Sequence, residues 1–291
     1  MPDNPLVNLG ELSKPATVLI EKISDAVGGV FKPYQIVRVA KAEAEAEKIR
    51  ADAEIVVEDI HRRAMHRFFE EEAKKQKNIE DITQKALPNL NDDAKSENVE
   101  DDWISNFFDK CRIVSDKEMQ NLWANVLAGE ANSPGRYSKR TVNYLSSIDK
   151  TDASLFTSLC GFVWQVGDIE PLIYNPKDQI YAKHNISFQS LNHLDDIGLI
   201  KFNSIMNFTR KGYPKRTFFL YYGNPILVEF PSDEDNTLKI GSAFLSKVGK
   251  ELVSICGSKP IPSFVEYVFT KWKEQGIVGR LASSTEKENK E

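Results

Sequence analysis

A stretch of basic and aromatic residues in the last third of the chain has the composition of a nucleic-acid contact. Residues 199–228 contain no Asp or Glu and carry a local charge of +5, with aromatic side chains between the cations. The candidate contact residues are Lys201, Arg210, Lys211, Lys215 and Arg216. Cations bind phosphates, and aromatic rings stack on unpaired bases. The alternative is that the aromatic residues form sheet core and the cations a solvated surface.

Residues that could ligate metal or act as nucleophiles are scattered. Cys111, Cys160 and Cys256 stand far apart, and this odd number indicates reduced thiols in an intracellular protein. The four histidines are not part of HExxH or CxxC patterns. The sequence therefore predicts no metal site.

Carboxylates before and after residue 175 leave one enzymatic hypothesis open. Asp168 and Glu170, followed by Asp178 and Lys183, could form a nuclease-like cluster, although chance scatter also produces such sets. The chain has no GxGxxG, GxxxxGK[ST] or GxSxG motif. We therefore predict no enzyme, no catalytic residue, no cofactor and no small-molecule ligand.

Composition narrows the class of protein. The 291 residues are 41% hydrophobic and 28% charged with a net charge of −5, which is typical of a globular protein and argues against coating by nucleic acid along the whole chain. No apolar run approaches the ~18 residues of a membrane-spanning helix. The N-terminal residues lack the cationic start and apolar stretch of a signal peptide. We expect a cytoplasmic protein and no membrane partner.

One long helix would carry the most extensive binding surface. No Gly or Pro occurs between Pro33 and Pro88, and the composition is rich in Ala, Glu, Lys and Arg. Apolar residues recur there at strict three- and four-residue spacing, the signature of a coiled-coil seam. The seam residues are Val39, Ala42, Ala46, Ile49, Ala53, Val56 and Ile60. The seam continues through Ala64 and Phe68 after a stutter, so we predict a homo-oligomer or a helical protein partner.

The rest of the chain predicts a helical middle part and a mixed C-terminal part. Five core positions follow from helical spacing: Trp103, Phe107, Leu122, Trp123 and Phe156. The aromatic run from Thr217 to Leu227 predicts one strand. The predicted organisation is an N-terminal segment with a short amphipathic helix (1–32), a long helix (33–90), an acidic linker (91–102), a helical domain (103–170), an α+β domain (171–280) and a disordered tail (281–291).

The middle of the chain resembles a known family. The string EMQNLWANVLAGEANSPGRYSKRTVNYLSSIDKTDASLF over 118–156 is similar to the core of a bacterial family described only as a domain of unknown function. The string over 14–47 resembles the N-terminal part of the same proteins. The resemblance implies a bacterial cytoplasmic protein. It assigns no functional residue, because the family has no established activity.

A second resemblance concerns residues 185–256, which look like a bacterial winged-helix domain. Such domains have a helix ending in LxxLxxxGLI, a hairpin wing, and an LTxxGxxL helix. The matching residues are Leu191, Leu194, Gly198, Leu199 and Ile200, then Leu245, Ser246, Gly249 and Leu252. Residues 201–244 are long for a single wing, and Ser246 replaces the usual Thr.

These observations predict a mainly α protein with a coiled-coil-type N-terminal helix, a helical middle domain and a small winged-helix-like C-terminal domain. The predicted function is non-enzymatic assembly or interaction through the long helix. The alternative is a nucleic-acid-binding module built on residues 199–228, with regulation or phage defence as hypothetical contexts.

Overall fold

The computed structural model describes residues 12–27 and 59–281, which belong to two compact units divided between Ser147 and Ile148. This division differs from the predicted boundaries at 102/103 and 170/171. The predicted seam residues from Val39 to Val56 lie outside the described residues, and Ile60 lies within them. The predicted tail, apart from Leu281, also lies outside them.

Helices build the described part of unit 1. They are α1 (Lys14–Ala26), α2 (Asp59–Ala86), α3 (Asp101–Cys111), α4 (Lys117–Asn132) and α5 (Lys139–Leu145). Helix α2 packs on α4, whereas α1 and α5 both pack on α3. Short 3-10 turns at Leu87–Asn89 and Ser96–Asn98 connect α2 to α3.

Aromatic side chains of α3 and α4 form the centre of unit 1. The Phe107 ring stacks on Trp103 at 5.0 Å and meets the edge of Trp123 at 5.2 Å. The Trp103 indole N–H donates to the Tyr137 carbonyl oxygen at 2.7 Å. These three rings and Phe156 of unit 2 are buried as predicted, and Leu122 is half-buried.

The predicted acidic linker lies inside unit 1. Ser96 and Val99 are buried, and the Lys95 amide donates to the Ala131 carbonyl oxygen of α4 at 2.9 Å. Lys22 of α1 donates to the Val99 carbonyl oxygen at 2.7 Å and pairs with Asp101 at the same distance. The acidic residues therefore face solvent while the segment itself packs between helices.

Unit 2 combines short helices with antiparallel strands. Its helices are α6 (Lys150–Cys160), α7 (Gln179–Ala182), α8 (Phe188–Asp196), α9 (Lys247–Val253) and α10 (Phe264–Lys273). Its strands are β1 (Val163–Gln165), β2 (Ile169–Pro171), β3 (Ile200–Phe202), β4 (Phe208–Tyr213), β5 (Arg216–Tyr221), β6 (Asn224–Glu229), β7 (Asn236–Gly241), β8 (Ala243–Leu245) and β9 (Val278–Leu281).

The strands form three sheets within the described part of unit 2. A five-stranded sheet has the order β2-β1-β5-β6-β9, and β3 pairs with β8 while β4 pairs with β7. All these named pairs are antiparallel. Aromatic residues cover the large sheet, with the Trp164 ring stacked on Tyr221 at 4.9 Å and against Trp272 of α10 at 5.3 Å.

The predicted fold class is wrong. The multi-strand antiparallel sheet makes the C-terminal half α+β in its own right, so the chain is not mainly α with a long coiled coil. The winged-helix interpretation is also wrong in its central element. Residues 201–244 do not form one hairpin wing, because β5 and β6 join the five-stranded sheet and β4 pairs with β7. Only the flanking helix–strand units α8–β3 and β8–α9 match that pattern.

The predicted strand over 217–227 is in fact a hairpin. Tyr221 pairs with Asn224, which leaves Tyr222 and Gly223 as a two-residue turn between β5 and β6. Both turn residues have positive φ, 48° and 76°, as a type I′ turn requires. Tyr222 is an unusual residue for a conformation with positive φ. The composition of the aromatic run therefore does not predict the turn.

Truncating Trp123 to Ala should lower the free energy of unfolding by roughly 3–5 kcal/mol, because the indole is fully buried against Phe107 and its loss leaves a cavity. Urea unfolding followed by far-ultraviolet circular dichroism measures this change. The matched control is Ile113→Ala, since Ile113 is 69% exposed and its truncation should cost at most about 0.5 kcal/mol. Equal midpoints for Trp123→Ala and the parent would contradict the packing described.

Candidate interaction surfaces

The amino-terminal half of α2 has no packing partner among the described residues. Every residue from 59 to 74 is exposed, and burial starts only near Asn78. Ile60 and Phe68 are each 60% exposed although both are large apolar residues. Met65 and Phe69 are also exposed beside them. This half of the helix is therefore a candidate binding surface.

The exposed apolar residues continue the face that the other half of α2 buries. Eighteen residues complete about five helical turns, so positions 18 apart point in the same direction. The aligned pairs are Ile60 with Asn78, Ala64 with Ile82, and Phe68 with Ala86. The second member of each pair is buried in unit 1. The face Ile60–Ala64–Phe68, hereafter the exposed α2 face, thus extends the buried stripe beyond the body of the unit.

Charged residues around the exposed α2 face pair along their own helix. Arg62 and Arg63 both contact Asp59, and Arg67 lies 3.5 Å from Glu71. Such exposed pairs contribute a few tenths of a kcal/mol each. These three arginines are consequently balanced locally, whereas the apolar side chains of the exposed α2 face have no packing partner among the described residues.

The basic residues of 199–228 are largely neutralised by acids elsewhere in the chain. Lys201 pairs with Asp195 at 3.2 Å, Lys215 with Asp233 at 2.7 Å, and Arg216 with Glu229 at 3.3 Å. Arg210 pairs with Asp168 and Glu170. Lys211 is exposed, and no ion pair forms to it within residues 59–281. The structure therefore distributes these cations over separate pairs instead of gathering them into one patch.

Several aromatic residues of the same stretch belong to the core. Phe219 and Tyr221 are buried, and Tyr213 stacks on Phe230 at 5.2 Å while its hydroxyl donates to the Val166 carbonyl oxygen. Phe208 packs edge-on against Phe244 at 4.7 Å. Their rings are thus engaged with other side chains, as the core alternative expected.

Glu170 is the buried centre of an ion-pair cluster whose other members, Asp168, Arg210 and Lys250, are partly exposed. Its side chain is fully buried, and one carboxylate oxygen accepts from the Arg210 guanidinium with Lys250 at 3.5 Å. The other oxygen accepts from the Leu245 amide at 3.1 Å. Asp168 accepts from Lys250 and from Arg210, the latter at 3.1 Å. Two carboxylates and two cations give the cluster a net charge of zero.

The pKa values reflect this pairing. Burial acts to raise the pKa of Asp168, but the hydrogen bond from Lys250 and the Ile169 amide reverse the effect and hold it below 3.8. Burial acts to lower the pKa of Arg210, and the hydrogen bond and charge of Glu170 raise it overall. Both groups are therefore charged near neutral pH, as the cluster requires.

The carboxylates of the nuclease-like hypothesis are only partly brought together. Asp168 and Glu170 are neighbours, but they are committed to Arg210 and Lys250. Asp178 instead accepts from the Tyr267 hydroxyl at 2.7 Å. Across the described residues, no three His, Cys, Asp or Glu side chains are grouped closely enough to hold a metal ion. None of the helices in those residues is both long and apolar enough to cross a membrane.

One juxtaposition escaped sequence analysis. The Thr157 hydroxyl of α6, one turn before Cys160, donates to the Cys256 carbonyl oxygen at 3.0 Å, which joins the segments that carry Cys160 and Cys256. Ninety-six positions separate the two cysteines along the chain, and no CxxC spacing predicts that their segments meet.

Replacing Glu170 by Gln should lower the free energy of unfolding by about 1–2 kcal/mol, because the charge-assisted hydrogen bond from Arg210 to the buried carboxylate becomes a neutral one while Arg210 and Lys250 keep Asp168 as a partner. Thermal or urea unfolding of the full chain measures this change. The matched control is Lys211→Gln on the same strand as Arg210, which should change stability by at most about 0.5 kcal/mol. A parent-like midpoint for Glu170→Gln would show that the cluster is not required for stability.

Comparison with known proteins identifies the family of the chain. The model of the family described as "Protein of unknown function (DUF2806)" matches residues 62–269. No curated protein and no solved structure matches the chain. The match includes α2 from Arg62 onward and most of unit 2, and it confirms the family resemblance predicted from residues 118–156. The chain therefore belongs to the DUF2806 family.

Proposed function

We propose that the protein is a non-enzymatic assembly protein of the bacterial cytoplasm that associates with a second copy of itself through the long helix. The observation that carries this proposal is the exposed α2 face, where Ile60 and Phe68 extend a stripe that is otherwise buried. Burial of such a side chain stabilises an assembly by about 2 kcal/mol. Two copies would bury at least four of them.

The upstream sequence supports the same partner. The predicted seam residues from Val39 to Val56 lie outside the described residues, and their apolar spacing in the sequence is what supports a helical partner. A seam of Ala, Val and Ile accepts another helix of the same kind at close approach. A two-fold arrangement would place identical seams against each other. The alternative is that a helical protein of different sequence binds the exposed α2 face.

The assembly can be tested by placing a charge in the seam. Ile60→Asp and Phe68→Asp, and likewise Ile49→Asp and Val56→Asp, should convert an oligomer into a monomer, because a desolvated carboxylate costs several kcal/mol. Size-exclusion chromatography with multi-angle light scattering measures the mass.

The matched control is His66→Asp, which puts the same charge on the opposite side of α2. This variant should keep the mass of the parent. A parent protein that is monomeric at tens of micromolar would overturn self-assembly, and a search for a helical partner would then follow.

The nucleic-acid alternative has weaker support. Four of its five candidate residues are paired with acids, all of which lie outside residues 199–228. Lys211 alone is exposed without such a pair among the described residues. Among the described residues, the cluster of acidic and basic side chains at Glu170 is the group that could suggest an enzyme, and its charges neutralise one another. The contexts of regulation and phage defence belong to the nucleic-acid alternative.

A salt titration separates the two functions. Engagement of Arg210, Lys211, Lys215 and Arg216 would give a slope of about −3 to −4 in log K against log salt on duplex DNA. Because the ion pairs must break first, we expect no gel shift with random DNA or RNA at micromolar protein and low salt. A shift that weakens when all four residues are changed to Gln would favour the alternative.

A further inference from the structure

The exposed half of α2 carries an apolar pattern that is the same when read in either chain direction. The six apolar residues of 59–74 form two rows of four-residue spacing, Ile60–Ala64–Phe68 and Met65–Phe69–Ala73, and all six are exposed. Reversing the chain direction about the point between His66 and Arg67 exchanges the two rows. The exchanged pairs are Ile60 with Ala73, Ala64 with Phe69, and Met65 with Phe68.

The two rows form one surface. Met65 and Phe68 are three positions apart, so they lie on the same side of the helix. The Phe68 and Phe69 rings meet edge to face at 5.9 Å, which joins the rows near their centre. A partner that covers this surface therefore buries side chains of both rows at once.

The charged residues of the same stretch follow the same reversal with opposite signs. Under it, each acidic residue of 59–74 falls on the level of a basic residue or a histidine. The helix thus has a basic block, 61–67, before the point of reversal and an acidic block, 70–72, after it. The exchanged pairs are Asp59 with Lys74, His61 with Glu72, Arg62 with Glu71, and Arg63 with Glu70.

Two-fold symmetry converts this sequence pattern into a contact pattern. When two antiparallel helices are related by a two-fold axis between positions 66 and 67, residues whose numbers add up to 133 lie level with each other. The basic block of one copy then lies beside the acidic block of the other, at an interaxial distance of about 8–10 Å. A parallel pair in register would instead bring like blocks together, because each residue would lie level with its own copy.

We propose, on the basis of the self-association proposed above, that two copies pair in antiparallel orientation along residues 59–74, with the two-fold axis between His66 and Arg67. Such an interface is isologous, since the same surface of both copies takes part. Next to the axis, Met65 of each copy packs against Phe68 of the other. The contact line has the four-three-four spacing of paired helices, and its residues are His61, Met65, Phe68 and Glu72.

The ion pairs within α2 are compatible with this pairing. Arg62 contacts Asp59, and Arg67 lies 3.5 Å from Glu71, but all four side chains are exposed. A guanidinium has five N–H donors, so each arginine retains donors for a carboxylate of the second copy. The pairing ends near Asn78, where α2 becomes buried in unit 1.

Cysteine cross-linking measures the orientation directly. His61→Cys and Glu72→Cys are made in separate full-length chains, which are mixed and oxidised. Peptide mass mapping without reductant should find position 61 of one copy linked to position 72 of the other.

Each variant alone should form no link between identical positions. In the antiparallel pair these are separated along the axis by 11 residues, or about 16 Å, whereas a disulfide spans at most about 7 Å between Cα atoms. The matched control is His66→Cys, on the opposite side of α2, which should link to neither new thiol. Mass mapping separates these links from any that involve Cys256, the partly exposed native cysteine.

The salt dependence of dimerisation is a second readout and requires no substitution. Because opposite charges lie level in the antiparallel pair, raising NaCl from about 50 mM to about 500 mM should raise the dimer dissociation constant by screening their attraction. A parallel pair should respond in the opposite direction. Light scattering over a dilution series measures the constant.

The outcomes distinguish orientation from self-association. A dimeric protein that lacks the 61–72 link, forms a 61–61 link, or is strengthened by salt would overturn the antiparallel pairing and leave self-association through α2 standing. A parent chain that is monomeric at tens of micromolar would overturn both.

Discussion

A single buried carboxylate constrains how unit 2 is assembled. Glu170 on β2 has no contact with solvent, and an isolated charge in such a place is strongly destabilising. It is tolerated because Arg210 from β4, Lys250 from α9 and the Leu245 amide from β8 all converge on it. Strands of all three sheets and a helix must therefore meet at this residue.

Pairing with acids from other segments also balances the basic residues of 199–228. Residues 199–228 contain no acid, but Glu229 follows immediately and pairs with Arg216 across the β5–β6 hairpin. Asp168 in the turn between β1 and β2 and Glu170 on β2 both contact Arg210, and both precede residues 199–228 in the sequence. The charge around these cations in the folded protein thus depends on acids from other segments, and it differs from the net charge of residues 199–228.

Helix α2 shows the opposite situation, because part of its apolar surface has no packing partner among the described residues. Its carboxyl-terminal half packs in unit 1, whereas the aligned apolar residues of its other half face solvent. Large exposed apolar side chains in line along one helix face are typical of a binding surface.

Local signals in the sequence were sufficient for helices α3 and α4 and for the aromatic core of unit 1. Helical spacing predicted these two helices, and it placed Trp103, Phe107 and Trp123 in the core. The sheet was not predictable in this way, since β1 and β2 are three residues long and show too little alternation. The ion-pair partners of Arg210 and the bond between Thr157 of α6 and Cys256 depend on contacts across 40 to 99 positions. Only the tertiary structure decides such contacts, because periodicity and composition report the immediate neighbours of a residue and carry no information on which distant segments pack together.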